Sequence, residues 1–143
     1  MGVTNFDEYR DVFVVADTID DVVHPVTYEL IGQARRIAKE LGQLVQVMLL
    51  GENVQSEAEE LVAHGADIVH VFESPLLKYY TTDGYTKVLT DFFEDHKPNI
   101  LLIGATNNGR DLAPRMSGRM KNGVVADCTI LTVDTTEGLV EWT

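Results

Sequence analysis

The segment 104–110 holds the residue types that bind an anion or a nucleotide. Its candidate binding residues are Gly104, Thr106, Asn107, Gly109 and Arg110. The two glycines permit tight turns and a close approach of the backbone, and the polar side chains add hydrogen-bonding groups. The N-terminus of a following helix would favour the same ligand. The spacing matches neither the dinucleotide fingerprint nor the P-loop. The alternative is a polar loop that caps its helix, with Arg110 paired to an acid.

Positive charge is concentrated in the same region. The residues are Arg110, Arg115, Arg119 and Lys121, four of the 11 Lys and Arg residues of the chain. On a helix, Arg115 and Arg119 lie one turn apart and share a face. We expect this to be the only basic concentration, and it favours a docking surface for an acidic partner or a phosphate. The alternative is a solvated helix face whose salt bridges each contribute little.

Residues that commonly carry catalysis or bind metals are sparse. The one cysteine, Cys128, lies in an apolar run without an activating base nearby, so we expect a small buried residue. The histidines are His24, His64, His70 and His96, and no two of them have metal-ligand spacing. No nucleophile-elbow motif occurs. We therefore predict no catalytic residues and no metal site.

Strand-like and helix-like patterns alternate along the chain. Continuous apolar runs predict strands that are buried on both faces, at 11–16, 44–50, 67–72, 100–103 and 124–133. Apolar spacings of three and four predict helices over 25–41, 56–64, from 83 to the proline at 98, and around 112–119. The segments 17–21 and 73–82 are expected to be irregular. This order predicts a three-layer α/β fold, with a mostly parallel sheet, helices on both faces and a terminal antiparallel strand.

The composition is that of a globular protein. The chain has 143 residues, of which 45% are hydrophobic and 24% charged, and its 11 basic and 23 acidic residues give a net charge of −12. This charge argues against nucleic acid or an anionic membrane as the main partner, because both need a basic surface. No apolar run approaches the ~20 residues that cross a bilayer, and no secretory signal is recognisable. We expect a soluble protein of the reducing cytoplasm.

Two motifs resemble those of electron-transfer flavoprotein alpha subunits. That family has a Gly-Arg-Asp-Leu-Ala-Pro-Arg segment, found here at 109–115, and then an Ala-Asp-Cys-Thr strand, found here at 126–129. The strand around 98–104 and the early strand that ends at Asp17 also fit. The resemblance covers essentially the whole chain. It implies that residues 1–143 are the N-terminal domain of the alpha subunit, with an adenine-nucleotide-hydrolase-like, Rossmann-like fold.

The resemblance implies an electron carrier rather than an enzyme with its own catalytic residues. In the family, this domain packs on the beta subunit, and a second domain carries most of the FAD contacts. The complex exchanges electrons with acyl-CoA or other dehydrogenases, and the beta subunit holds AMP or a second FAD. Because the sequence stops where the family chain enters its FAD-binding half, we expect that the C-terminal FAD domain is absent and that this chain alone holds no flavin.

The resemblance also suggests roles for the motif residues. The expected interface residues are Arg110, Asp111, Arg115 and Arg119. Asp111 is expected to cap the helix and Pro114 to lie in its first turn. The competing interpretation is a free-standing nucleotide-binding module of the universal-stress type, which shares the topology. That class has a Gly-Ser or Gly-Thr step after the fourth strand, whereas Gly118 is followed here by Arg119.

Overall fold

A computed structural model describes residues 10–96, 98–119, 124–127, 131–134 and 139–142. Within them the strands are β1 (Val12–Val15), β2 (Thr18–Ile19), β3 (Val22–Val23), β4 (Val45–Gly51), β5 (Ile68–Glu73), β6 (Ile100–Ile103), β7 (Val124–Asp127), β8 (Leu131–Asp134) and β9 (Leu139–Trp142). The helices are α1 (Pro25–Leu41), α2 (Gln55–Ala63), α3 (Thr82–Asp95) and α4 (Asn107–Arg119), with a 3₁₀ turn at Pro75–Leu77.

A parallel sheet of the order β5-β4-β1-β6-β7 forms the centre of the described chain. On β1, Val12 lies opposite Val45 on one side and opposite Ile100 on the other. The chain runs from β1 outward to β4 and β5, and then returns to β6 on the other side of β1. The strand order therefore reverses between β1 and β6. In open α/β sheets, such a reversal leaves a crevice at the carboxyl ends of the two strands.

Successive side chains of the strands supply two hydrophobic cores on opposite faces of the sheet. Val12 and Val14 of β1 pack in the core that contains α1 and α2. Phe13 and Val15 pack in the core that contains α3 and α4. Both faces of β1 are covered, which is why its sequence is a continuous apolar run. The predicted three-layer α/β class is confirmed.

Helix α1 has the bounds that the sequence predicts. His24 Nδ1 accepts a hydrogen bond of 3.0 Å from the Val26 N–H, and Pro25 begins the helix with its φ already suited to it. Gly42 ends the helix at a φ of 66°, in the left-handed region that glycine adopts without strain. Local signals at both ends therefore fix this helix before any packing.

The segment after β1, expected to be irregular, contains a β-hairpin. Ile19 pairs with Val22, and Asp20 and Asp21 form the two-residue loop between them. Both loop residues have positive φ, 50° and 64°, as a type I′ turn requires. Aspartate pairs without glycine are an uncommon sequence for this turn, so the pattern did not predict the hairpin.

The last predicted strand, 124–133, is wrong in its extent. Its first part is β7, which pairs with β6 in the parallel sheet, and its last part is β8, which pairs antiparallel with β9 in a separate sheet. Because β6 has four residues, it offers β7 four partners and no more. The predicted terminal antiparallel strand is confirmed. Residues 128–130, and with them Cys128, lie outside the described part of the chain.

Candidate functional site

A small pocket lies at the carboxyl ends of β1 and β6, where the strand order reverses. Its walls are the residues that follow β1, the loop that follows β6, and the rings of Tyr80 and Tyr85. The volume of its cavity is about 20 Å³. That is room for about one water molecule, so a nucleotide base or a flavin ring does not fit in this conformation.

Two glycines of the segment 104–109 lie in close packing contacts. A Cβ atom on Gly109 would collide with the carbonyl oxygen of Gly104. A Cβ atom on Gly104 would lie 3.1 Å from Cγ1 of Val26, in the second residue of α1. The absence of side chains at these positions therefore lets α4 start directly against β6 and lets α1 pack over the loop.

The first turn of α4 is capped from within the chain. Thr106 Oγ1 accepts a hydrogen bond of 3.0 Å from the Gly109 N–H, so it satisfies one of the free donors at the helix start. Gly104, Thr106 and Gly109 line the pocket, whereas the other predicted binding residues, Asn107 and Arg110, are exposed and do not. The structure thus gives Thr106 the capping role that the sequence left as the alternative.

Asp111 does not cap α4, because the helix begins four residues earlier, at Asn107. Its carboxylate instead accepts hydrogen bonds from Thr82 Oγ1 and from the Tyr80 hydroxyl, the latter at 2.8 Å. These bonds, that from Thr82 first, hold the pKa of Asp111 below its ordinary value. Asp111 therefore ties α4 to the start of α3. Pro114, expected in the first turn, lies inside the helix.

The two tyrosines of the pocket wall donate hydrogen bonds to different partners. Their ring centroids lie 5.0 Å apart in an edge-to-face arrangement. The Tyr85 hydroxyl donates a hydrogen bond of 3.0 Å to the Leu77 carbonyl oxygen. Burial, helped by the hydrogen bond to Asp111, raises the pKa of Tyr80 to about 12, and burial raises the pKa of Tyr85. Both side chains are therefore neutral near pH 7 and serve as donors and apolar walls, not as bases.

The predicted basic surface on α4 is solvent-exposed. Arg110, Arg115 and Arg119 are all exposed, and the fourth predicted member, Lys121, lies outside the described residues. Arg115 Nη1 lies 3.8 Å from Asp83 Oδ1, and the two side chains are 53% and 96% exposed. A pair so exposed adds little to stability. Most of the charge on these arginines thus faces solvent.

The expectation of a single basic concentration is wrong. Arg35, Arg36 and Lys39 of α1 line an open depression at the amino edge of the sheet, beside the start of β4. The sequence did carry a signal for this patch, because the three cations fall within five residues of a helix. The prediction overlooked this patch because it considered only the basic cluster on α4.

A family model described as "Electron transfer flavoprotein domain" matches residues 12–143. The chain belongs to the electron transfer flavoprotein family. It is 45% identical over 136 residues to the electron transfer flavoprotein subunit alpha of Megasphaera elsdenii, which covers 95% of this chain and 40% of that protein. The resemblance drawn from the motifs at 109–115 and 126–129 is confirmed.

Two further relatives match this electron transfer flavoprotein domain at similar identity. The subunit LctC of the lactate dehydrogenase (NAD(+),ferredoxin) of Acetobacterium woodii is 45% identical over 133 residues, which are 93% of this chain and 32% of that protein. Protein FixB of Rhizobium meliloti is 41% identical over 133 residues. The chain corresponds to the N-terminal domain of the alpha subunit. It spans about 40% or less of the length of these relatives.

Solved structures show the same fold at low identity. The universal stress protein from Archaeoglobus fulgidus, solved in complex with dAMP, has a TM-score of 0.53 and 16% identity, covering 82% of this chain and 97% of that one. A universal stress protein in complex with cAMP has a TM-score of 0.52 and 19% identity, covering 85% and 99%. Likeness at this level shows the fold alone, and it confirms the Rossmann-like topology predicted for this electron transfer flavoprotein domain.

Two features are absent from the described residues of this electron transfer flavoprotein domain. None of their helices is long and apolar enough to cross a membrane. Nor do three or more His, Cys, Asp or Glu side chains come together among them in a way that could hold a metal ion.

Proposed function

We propose that this chain is the N-terminal domain of an alpha subunit that assembles with a beta subunit, and that the assembly carries electrons on FAD to or from dehydrogenases. The observation that carries the proposal is the family match over residues 12–143, together with relatives that are named as alpha subunits. Acyl-CoA dehydrogenases are one class of dehydrogenase partner. AMP or a second FAD would be bound by the beta subunit.

We place the flavin outside this chain. The pocket between β1 and β6 holds about one water molecule, in about 20 Å³, and an isoalloxazine ring does not fit there. Tyr80 and Tyr85 line this pocket, and Gly109 packs closely against the carbonyl oxygen of Gly104. These features support a scaffold role, in which this domain braces the subunits and other parts of the assembly bind FAD.

The exposed arginines of α4 are proposed contacts with the beta subunit. Arg110, Arg115 and Arg119 keep their charges in solvent, and the one ion pair described for them is the weak pair of Arg115 with Asp83. Asp111 positions the strip, because its bonds to Tyr80 and Thr82 fix α4 against α3. Acidic groups on the partner would meet this strip.

The proposal is tested by measuring the dissociation constant of the 143-residue chain for the beta subunit of the same organism. We expect a specific complex, and roughly tenfold weaker binding by Arg115→Glu. The matched control is Arg36→Glu, which makes the same charge change on α1 and should leave the affinity unchanged. Absence of any complex contradicts the assembly role. Equal affinities for the two variants remove the α4 strip from the interface.

A second candidate function is nucleotide binding at the loop 104–110. It is favoured by the position of the pocket at the switch point of the sheet, and by the complexes of the similar universal stress proteins with dAMP and cAMP. The pocket would have to open, with Tyr80 moving away from Asp111. Chemical-shift changes at the Thr106 and Gly109 amides on addition of millimolar AMP or FAD would support it, and unchanged shifts would retire it.

A further inference from the structure

Among the described residues, the four most exposed large apolar side chains lie in two loops at one edge of the sheet. Leu76 is 85% and Tyr79 64% exposed, in the segment 74–81 after β5. Ile19 is 59% and Val22 58% exposed, on the hairpin after β1. Scattered exposed apolar residues are ordinary, but a concentration of them marks an interaction site. We call these four residues the apolar tips.

The two loops that carry the apolar tips are anchored to the same strand end. Thr18 Oγ1, on the hairpin, donates a hydrogen bond of 3.3 Å to the Leu50 carbonyl oxygen. The Ser74 N–H, at the start of the other loop, donates one of 2.9 Å to the Gly51 carbonyl oxygen. Leu50 and Gly51 are the last two residues of β4. The apolar tips are therefore held on both sides of one strand terminus.

The exposure of the apolar tips is imposed by local structure, not by looseness. The 3₁₀ turn at 75–77 is capped by Ser74 Oγ, which accepts a hydrogen bond from the Leu76 N–H. The turn directs Leu77 into the core, where it is 6% exposed, and leaves Leu76 outside. On the hairpin, Ile19 lies directly opposite Val22, so the two side chains share a face. A surface ordered in advance loses little entropy on binding.

The carboxyl edge of the sheet that carries the apolar tips has an acidic border. The last residue of β5 and the loops that follow β1, β4 and β5 carry five carboxylates and one lysine, at Asp17, Asp20, Asp21, Glu52, Glu73 and Lys78. Two such borders repel each other, which argues against a second copy of this chain as the occupant. An anionic membrane is disfavoured for the same reason. A protein surface with an apolar centre and a border of Lys and Arg is complementary.

We propose that the apolar tips form the centre of a second contact with the beta subunit, besides the α4 strip, and that the beta-subunit surface they meet is apolar and bordered by basic residues. This inference rests on the proposed function, namely that the chain assembles with a beta subunit. It adds a second contact surface, at the carboxyl edge of the sheet. Permanent interfaces are more apolar than transient ones, which favours the subunit over a dehydrogenase that binds and leaves.

The test compares three forms of the 143-residue chain for binding to the beta subunit of the same organism by calorimetry. The double variant Ile19→Asp/Leu76→Asp should bind about 30-fold more weakly or worse, since it puts two charges at the centre of the contact. The control Val62→Asp changes a residue that is 53% exposed on α2, away from this edge, and should bind as the wild type does. Circular dichroism checks that all three are folded.

The outcomes separate this inference from the proposed function. If the wild-type chain does not bind the beta subunit, the proposed function fails. If the wild type and the double variant bind equally well, the beta subunit contacts another surface, and this inference alone fails. Equal weakening by Val62→Asp would also overturn it, because the effect would not belong to the apolar tips.

The acidic border gives a second arm. Neutralising it with Asp20→Asn/Glu52→Gln should weaken binding several-fold and reduce its dependence on salt, because fewer opposite charges then meet. Sedimentation of the chain alone and flotation with phosphatidylserine vesicles examine the other occupants. A wild-type dimer that Leu76→Asp dissociates, or vesicle binding that it abolishes, would overturn the assignment to the beta subunit.

Discussion

The loop after β6 and the loops that carry the apolar tips lie at the same edge of the sheet and use it in opposite ways. In the first, Gly109 packs against the carbonyl of Gly104, and Thr106 bonds back to the helix start, so the polar groups serve the loop itself. In the second, capped turns hold Leu76 and Ile19 out in solvent. One loop is closed around its own backbone, and the other two expose apolar side chains to solvent.

At this edge of the sheet, the type of a residue is therefore a weak guide to its structural role. Glycine, threonine and asparagine after a strand suggest a ligand cradle, yet at 104–109 the two glycines lie in close packing contacts. Leucine and isoleucine suggest a core, yet Leu76 and Ile19 are among the most exposed large apolar side chains of the described residues. We expect substitutions at closed and at projecting positions to change stability by very different amounts.

The largest effect is expected from the two neighbouring leucines of the segment 74–81. Leu77→Ala removes a side chain that is 6% exposed and should lower the free energy of unfolding by about 2–5 kcal/mol, through lost burial and a cavity. Leu76→Ala, at 85% exposure, should change it by no more than about 0.5 kcal/mol. Urea unfolding followed by circular dichroism measures both. Similar losses in the two variants would mean that Leu76 packs in solution and does not project.

A smaller effect is expected from the glycines of α4. Gly109→Ala forces a methyl group against the Gly104 carbonyl oxygen and should cost about 1–3 kcal/mol in unfolding free energy. Gly118→Ala is the matched control, because among the described residues no atom beyond the neighbouring residues and the helix's own backbone lies within 4 Å of the methyl group it would add. Alanine is the better helix former, so this variant should be as stable as the wild type or more so. Thermal melts that rank Gly109→Ala with Gly118→Ala would show that the loop after β6 is open.

The smallest effect concerns the bonds that hold α4 to α3. The pKa of Asp111 is lowered in the folded protein by Thr82 and Tyr80, so the ionised carboxylate favours folding. Its contribution is complete above its ordinary value of 3.8 and disappears as the pH falls through the lower folded value. The stability difference between the wild type and Asp111→Asn should therefore shrink as the pH falls from 3.8 through the lower folded pKa. Denaturation midpoints from pH 6 down to the acid limit of folding measure it.

Two controls sharpen the Asp111 prediction. Tyr80→Phe removes one of the two hydroxyl donors and should leave a smaller pH-dependent difference, with Thr82 as the remaining donor. A stability difference that is constant with pH would show that the carboxylate is not preferentially bound in its ionised form. The hydrogen bond from Tyr80 would then add nothing to the pH dependence of stability.

The main parallel strands and the helix that follows the first of them follow from the sequence alone. Runs such as 12–15 and 100–103 are apolar at every position, a pattern that fits strands covered on both faces. The bounds of α1 follow from His24, Pro25 and Gly42, which act on the backbone within a few residues. The motif at 109–115 pointed to the family, and the family match over residues 12–143 confirms it.

The local roles of the motif residues did not follow from the sequence. Asp111 looked like a helix cap because α4 was expected to begin near it, and only the contact with Tyr80 and Thr82, about 30 residues earlier, reveals its bonds. The hairpin after β1 was missed because two aspartates occupy positive φ without the usual glycine. Pairing with a four-residue β6 divided the strand predicted at 124–133.

By itself, the sequence determined what short-range forces control: the alternation of strands and helices, the ends of α1 and the class of the fold. The tertiary structure alone decided which groups meet. It closed the loop at 104–109, bent Leu77 inward and left Leu76 outside, and set the hairpin beside β4. The reason is physical: burial and steric contact depend on residues that are far apart in the chain, and periodicity carries no record of them.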